Sequence, residues 1–332
     1  MEQDHSDVGR QQIQQTNSQL TWQNRLDHVL ARLGIRRGNH RVAPGLYRLG
    51  VPDAGSPVLV TANYSLSFDA LRSALAGHDA YLLVLDTNGV NVWCAAGKGT
   101  FGTDELVRRV QQVGVSDLVS NRTLILPQLG ASGVSALEVR KRCGFGVEYG
   151  PVRAVDLPAY LKDHRATPEM RQVRFDLVDR LTLIPVEVVS WFLPTLLLGA
   201  LLLLLGGWRL ASAAISAMFA GVVLFPILLP WLPTRDFTSK GFFLGGLMVV
   251  PFAAAASAES PDLGALLRVA QMLAYFTLMP TLTAYLSLNF TGSTPVASRT
   301  GVRYEIDRYV PVMAILAVAG IVSAIAVAAF GR

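Results

Sequence analysis

The feature that most constrains this chain lies in its second half. Apolar stretches of about 20 residues recur at 183–205, 210–232, 241–258, 266–288 and 309–330, and each is long enough to cross roughly 30 Å of hydrocarbon. Five transmembrane helices are expected, which excludes a purely soluble enzyme and a disordered chain. The charge distribution agrees. Of 29 basic and 24 acidic residues, only 8 and 6 follow Arg180, so the first half reads as soluble and the second as apolar. The net charge of +5 is divided between the halves without a long basic run, so nucleic acid is not an expected partner.

Pro194, Pro226, Pro230, Pro251 and Pro280 fall inside the apolar stretches, where neighbouring helices can satisfy the freed backbone groups. They are expected to kink spans rather than end them. Lys162, Arg165, Arg171, Arg174 and Arg180 precede the first span, Arg235 and Lys240 follow the second, and Arg299, Arg303 and Arg308 follow the fourth. By the positive-inside rule these ten face the cytoplasm, with the N-terminal domain beside them and the C-terminus outside. Glu187 is the one carboxylate expected inside a span. Its shallow depth favours an interfacial group near Arg180 over a transport path, and an anchor or docking platform is expected of the helices.

Residues 1–50 are expected to form a polar, partly disordered extension, because the first 20 are Gln-rich and lack the apolar core of a signal peptide. Residues 51–165 read as an α/β domain, 166–182 as a basic linker and 183–332 as the five-helix domain. Within the α/β domain, strands are expected at 58–61, 81–85, 124–126 and 146–149, with helices at 67–75, 104–113 and 134–142 and Thr103 as a helix cap. This alternation predicts a Rossmann-like, doubly wound parallel sheet. Ligands of such sheets sit at the carboxyl ends of the strands. The rim there would comprise Thr61, Ala62, Asn63 and Tyr64, the turn Asp86-Thr87-Asn88-Gly89, Pro127-Gln128-Leu129-Gly130, and Tyr149-Gly150-Pro151-Val152-Arg153.

The chemistry centres on Asn91-Val92-Trp93-Cys94-Ala95-Ala96-Gly97-Lys98. Gly97 to Gly102 formally matches a dinucleotide GxGxxG pattern, but roughly a dozen residues separate it from the strand ending at Leu85, and such glycines must follow a strand directly. A free cysteine is ordinarily a small buried hydrophobe. Here Trp93 offers a flat surface, Ala95 and Ala96 allow close approach, Gly97 relaxes the backbone and Lys98 adds a cation, so Cys94 is a candidate soft metal ligand. The second cysteine, Cys143, ends an expected helix and is given no role. Two cysteines form no CxxC, and the five histidines show no HExxH spacing, so an iron-sulfur cluster or zinc site is not expected in this chain.

The octapeptide resembles the cap-helix motif of the HgcA family, the membrane-bound corrinoid proteins of microbial mercury methylation. The four rim segments and the five-span tail are also similar to that family, and the soluble domain is similar to the corrinoid domain of the acetyl-CoA pathway's corrinoid iron-sulfur protein. The resemblance implies a cobalamin-type corrinoid held base-off, with Cys94 as the lower axial ligand to cobalt. It further implies cofactor contacts at Thr61, Asn63, Tyr64, Asp86, Thr87, Asn91, Val92, Trp93, Ala95, Ala96, Gly97, Lys98, Gln128, Gly130, Tyr149, Gly150 and Pro151. Asn91 is expected to hydrogen-bond the Cys94 sulfur, and Trp93, Ala95, Ala96 and Gly97 to line the lower corrin face. The activity implied is methyl transfer from a methyltetrahydrofolate-type donor through cobalt to mercury(II), with a ferredoxin-like partner of the HgcB type carrying two four-iron clusters as electron donor. Alternative readings are a corrinoid methyl carrier for another acceptor, and a transporter with a regulatory ligand-binding domain.

Overall fold

The computed structural model describes residues 13–36, 38–259 and 263–331. An α/β unit reaches to Val173 and a helical unit runs from Arg174 onward.

The α/β unit is built on one six-stranded sheet in the order β1-β2-β4-β3-β5-β6. Its strands are β1 (Gln14–Thr16), β2 (Gly45–Leu49), β3 (Val58–Ala62), β4 (Ala80–Leu85), β5 (Thr123–Leu126) and β6 (Gly146–Tyr149). β3 to β6 are mutually parallel, whereas β2 runs antiparallel to β4. All residues of β3 and β4 are buried, as expected of parallel strands covered on both faces. The helices are α1 (Trp22–Arg32), α2 (Ser65–Ala74), α3 (Val92–Lys98), α4 (Thr103–Gln112), α5 (Val115–Leu118), α6 (Ala136–Cys143), α7 (Leu157–Asp163) and α8 (Pro168–Arg171). One core joins Val60, Leu83, Leu85 and Leu126 to Leu106, Val107 and Val110 of α4. The other joins Leu59, Leu82 and Ile125 to Phe68 and Leu71 of α2 and Tyr160 of α7. The chain therefore winds from β3 to one side and then to the other, and the switch point lies between β3 and β5.

Two expectations are corrected here. The sheet reaches into the supposed disordered extension, because β2 pairs along its whole length with β4 and carries β1 beside it; residues 1–12 lie outside the described ones. Thr103 is the first residue of α4, and Gly102 occupies the cap position. The Thr103 hydroxyl instead accepts the Ser135 N–H at 2.9 Å.

Helix α1 is held to the sheet unit through polar side chains. The Asn24 and Asp27 carbonyl and carboxylate oxygens accept from Arg72 Nη2 at 3.0 Å and Ser65 Oγ at 2.5 Å. His28 Nε2 lies 2.8 Å from Asp69 Oδ2. His40 Nδ1 lies 2.7 Å from Asp27 Oδ1 and its Nε2 lies 2.6 Å from the Ile35 carbonyl, two acceptors that suit a doubly protonated ring. Burial opposes the charge on His40, but these acceptors outweigh it and raise its pKa. Burial likewise opposes ionisation of Asp27, yet the hydrogen bonds from Ser65 and His40 hold its pKa below the usual value.

The helical unit comprises α9 (Leu177–Phe219), a π-helical turn (Ala220–Leu224), α10 (Phe225–Leu228), α11 (Phe237–Glu259), α12 (Ala265–Phe290) and α13 (Arg299–Phe330). Among the described residues, five segments are long and apolar enough to cross a membrane: Leu177–Leu204, Gly207–Leu228, Phe237–Ala258, Ala265–Phe290 and Arg299–Phe330. The first two meet at Gly207, whose φ of 75° and ψ of −176° break α9 sharply. The π turn ends two residues before Pro226, and such bulges absorb local disruption of a helical ladder.

Ionic groups secure one end of this bundle. Pro230 lacks an N–H, which frees the Pro226 carbonyl four residues earlier. Arg180 Nη1 donates to that carbonyl at 3.2 Å and to the Ile227 carbonyl at 3.1 Å. Lys240 Nζ donates to the Leu229 carbonyl at 2.8 Å. Glu305 is buried in α13. Its carboxylate accepts the Phe237 and Thr238 N–H groups at 3.1 and 2.8 Å and the Thr238 hydroxyl at 2.7 Å, closing the start of α11. The beginning of the first span, the end of the second and the beginnings of the third and fifth thus share one end. Arg180 is consequently an internal brace rather than a linker cation, and Glu187 accepts from the Ser293 hydroxyl instead of meeting Arg180.

Candidate functional site

The carboxyl end of β4 opens into a loop that the end of β3 holds in place. Asn63 is 2% exposed, so every polar atom on it must be paired within the protein. Its Oδ1 accepts the Thr87 N–H at 3.0 Å, the Gly89 N–H at 2.9 Å and the Thr87 hydroxyl at 2.9 Å. Its Nδ2 donates to Asp86 Oδ1 at 3.2 Å. The loop turns through Asn88 and Gly89, with φ of 58° and 72°, the left-handed pair that asparagine and glycine tolerate best. Glu105 Oε1 accepts the Asp86 N–H at 2.9 Å and is itself gripped by Arg109 at 2.8 Å.

This loop delivers the chain to α3, a helix too short to be stable alone. Asn91 caps it: its Oδ1 accepts the Cys94 N–H at 2.9 Å. Gly99, with φ of 85°, closes it and returns its N–H to the Ala95 and Ala96 carbonyls, the left-handed stop that glycine permits. Val92, Ala95 and Ala96 are buried in the sheet core. Trp93 and Cys94 are half-buried, and Gly97 and Lys98 are exposed. Cys94 precedes Gly97 by three residues and Lys98 by four, so these three lie along one outward face.

Close backbone approach fixes α3 from the other side. A Cβ on Gly133 would lie 2.2 Å from the Phe101 carbonyl oxygen and 3.0 Å from the Ala96 Cα. A Cβ on Gly130 would lie 2.5 Å from the Phe101 ring, and Phe101 is fully buried. Ala96 is small because Gly133 passes against it, and Ala95 is fully buried in the core.

The expected site residues thus separate by position. Trp93, Cys94, Gly97 and Lys98 present an outward face. Val92, Ala95, Ala96, Gly130, Thr61, Asn63 and Thr87 are buried; Asn63 and Thr87 fix the loop before α3, and Val92, Ala95 and Ala96 seat the helix in the core. Asn91 reaches the Cys94 backbone rather than its sulfur. Around the rim, Tyr64 and Asp86 are half-buried and Pro151 is buried. Gln128 Oε1 accepts from Arg171 Nη1 at 3.0 Å and its N–H points to the Pro151 carbonyl at 3.4 Å. Gly150 donates its N–H to the Leu126 carbonyl at 2.8 Å, and a Cβ there would meet Ile125 at 3.3 Å. The Tyr149 hydroxyl donates to the Val134 carbonyl at 2.7 Å, and burial pushes its pKa up. Tyr160 is pushed up to about 12 by burial and by Glu148, which accepts its hydroxyl at 3.0 Å. Cys143 turns its thiol back to the Val139 carbonyl at 3.2 Å. Glu105, Phe101 and Gly133 escaped the sequence reading. Only the spacing of glycines 130 and 133 signalled a close approach.

Comparison with known proteins covers this unit. Residues 36–154 match the family model of the CO dehydrogenase/acetyl-CoA synthase delta subunit. The chain is also similar to proteins named acetyl-CoA decarbonylase/synthase complex subunit gamma. That of Methanopyrus kandleri is 34% identical over 128 residues, covering 38% of this chain and 27% of the relative. That of Methanocaldococcus jannaschii is 38% identical over 93 residues, covering 27% and 19%. That of Methanothermobacter thermautotrophicus is 33% identical over 122 residues, covering 36% and 26%. The chain therefore spans about a quarter of the length of these curated relatives, and the family match ends before the apolar helices begin.

Proposed function

We propose that the α/β unit is a corrinoid-binding, methyl-transferring domain and that the apolar helices hold it at a membrane. The observation that carries this reading is Cys94: a half-exposed thiol on the outward face of a short helix whose cap, stop and inner face are all fixed by the protein, beside a sheet switch point. The donor set fits the group. No cluster of three His, Cys, Asp or Glu able to hold a metal ion is found among the described residues, and a ring that already supplies four nitrogens asks the protein for one axial atom. A bound corrinoid would supply a cobalt able to accept a methyl group and pass it on.

The residues then divide the work. Cys94 would offer a bound corrinoid a soft, electron-rich sulfur, and the identity of a protein ligand is the chief lever for tuning a macrocyclic centre. Asn91 and Gly99 hold the helix so that this sulfur keeps its direction. Trp93 offers an aromatic flank, Gly97 leaves clearance and Lys98 brings a cation to the same face. Tyr64, Asp86, Gln128, Tyr149, Gly150 and Pro151 form the rim at the strand ends. Asn63 and Thr87 act beneath it.

The finer reading is that the methyl group comes from a methyltetrahydrofolate-type donor and goes to mercury(II), giving methylmercury. The outward Cys94 thiol is the feature that supports it, since a soft, strongly donating sulfur would suit a metal that hands a methyl group to a soft acceptor such as mercury(II). Electrons for a low-valent metal would come from a ferredoxin-like partner with two four-iron clusters, because this chain's two cysteines cannot build one. The cation-rich connections before the first span, after the second and after the fourth would face the cytoplasm, leaving the C-terminus outside. A carrier serving another acceptor shares the site; it draws support from the relatives' names as subunits of an acetyl-CoA decarbonylase/synthase complex.

The test uses the full chain in detergent, loaded with a corrinoid. Cys94→Ala is expected to change the ultraviolet-visible spectrum of the bound corrinoid and to abolish methylmercury formation while membrane insertion is retained. Identical spectra together with undiminished turnover would refute the assignment. Methyl transfer to a thiol acceptor but not to mercury(II) would select the carrier.

A further inference from the structure

Helix α1 is amphipathic in the wrong sense for a surface helix. Its polar side chains Asn24, Asp27 and His28 point into the α/β unit, where Arg72, Ser65, His40 and Asp69 take them up. On the opposite face Trp22, Leu26 and Val29 stand 75%, 45% and 51% exposed. Positions i, i+4 and i+7 form one stripe. Arg25 and Arg32 are exposed along one flank of it. Asp27 is the one acid on α1 and is turned inward, so the outward face carries positive charge only.

We propose that this face of α1 lies on an anionic lipid surface, with Trp22, Leu26 and Val29 at the boundary between headgroups and acyl chains. The arrangement matches that of interfacial helices, which combine an apolar stripe, a terminal aromatic and flanking arginines. Arginine next to an apolar stripe complements phosphate headgroups, and it would oppose a basic partner surface. The inference rests on the reading of the apolar helices as membrane spans. Thirteen residues lie between Asp163, the end of α7, and Leu177, where the first span begins. They reach at most about 50 Å when extended, so lipid is held at high effective concentration.

The experiment places the photo-crosslinking residue p-benzoylphenylalanine at Leu26, in the full chain reconstituted into phosphatidylcholine vesicles containing phosphatidylglycerol. Glu138, exposed on α6, and Leu266, exposed on α12, serve as control positions. Lipid adducts are expected at 26 and 266 and not at 138. Adding Val29→Glu, or omitting the anionic lipid, is expected to lower the adduct yield at 26 roughly tenfold, which corresponds to about 1.4 kcal/mol. A lipid adduct at 266 without one at 26 overturns the docking while the membrane reading stands. No adduct at 266 overturns both. Crosslinking of 26 to a second copy or to a protein instead of lipid, or a yield indifferent to Val29→Glu, overturns the docking as well.

Discussion

Replacing Asn63 with alanine tests whether the site is built from beneath. Its Oδ1 accepts three hydrogen bonds, from the Thr87 N–H, the Thr87 hydroxyl and the Gly89 N–H, and Thr87 is fully buried. Each neutral hydrogen bond contributes about 1 kcal/mol net, and a buried donor left without a partner adds to the penalty. The loss is therefore about 3 kcal/mol, concentrated on the loop from Asp86 to Asn91. Local opening of that loop should become about a hundredfold more frequent, since each 1.4 kcal/mol is a factor of ten. Hydrogen exchange in the full-length protein, followed by mass spectrometry, reads this directly: peptides covering 86–98 should exchange about a hundredfold faster, whereas α12 should not change. Asn63→Asp keeps the acceptor but sets a second carboxylate 3.2 Å from Asp86 Oδ1, so an intermediate acceleration is expected. Acceleration below about fivefold in Asn63→Ala, or one spread evenly over both units, would refute the idea that Asn63 holds the loop.

Gly133→Ala should destabilise the α/β unit by roughly 1–3 kcal/mol through forced displacement of backbone, because its Cβ meets the Phe101 carbonyl and the Ala96 Cα; an unchanged melting profile would contradict the close approach. The Asp27–His40 pair predicts a pH window. Asp27, lowered from 3.8, contributes above that value and loses its contribution as pH falls through its folded pKa; His40, raised from 6.5, contributes below that value and loses it as pH rises through its folded pKa. His40→Gln should therefore lower stability most between about pH 4 and 6.5 and less at about pH 9; urea unfolding across pH measures it. Glu305→Ala should lower thermal stability in detergent by about 2 kcal/mol or more, because three donors at the start of α11 lose their acceptor, and Glu305→Gln should recover part of the loss. Equal melting of all three proteins would show that this end of the bundle is held otherwise.

How much of this was legible depended on which side of an element carried the signal. β3, β4, β5 and β6 declared themselves as apolar runs, and the five spans as long ones. β1, Gln14–Thr16, holds no apolar residue, and β2 is a short run, Leu46, Tyr47 and Leu49 around an exposed Arg48, overshadowed by the polar, Gln-rich residues before it. The outward apolar face of α1 also defeated the usual rule that apolar side chains point to the core. At the site, the octapeptide located Cys94, but sequence does not say which face of a seven-residue helix turns inward. The small side chains of Ala95 and Ala96 suggest a ligand-facing surface, yet both are buried in the core, Ala96 against Gly133. Asn63 was read as touching a ligand, while a neighbouring turn uses its carbonyl oxygen completely. Polar residue types at strand ends mark a functional edge, yet burial decides which of them touch a ligand and which hold the others.

Where these helices cross a membrane, as proposed, Gly207 decides how many times the chain does so. A backbone with φ of 75° and ψ of −176° is open to glycine and to almost nothing else. If any other residue straightened the joint, Leu177–Phe219 would become one rod of about 65 Å, twice the thickness of the hydrocarbon. A rod of that length has to project on one side or lie flat, and every later crossing would then be reversed. The absence of a single methyl group therefore sets the parity of the whole molecule.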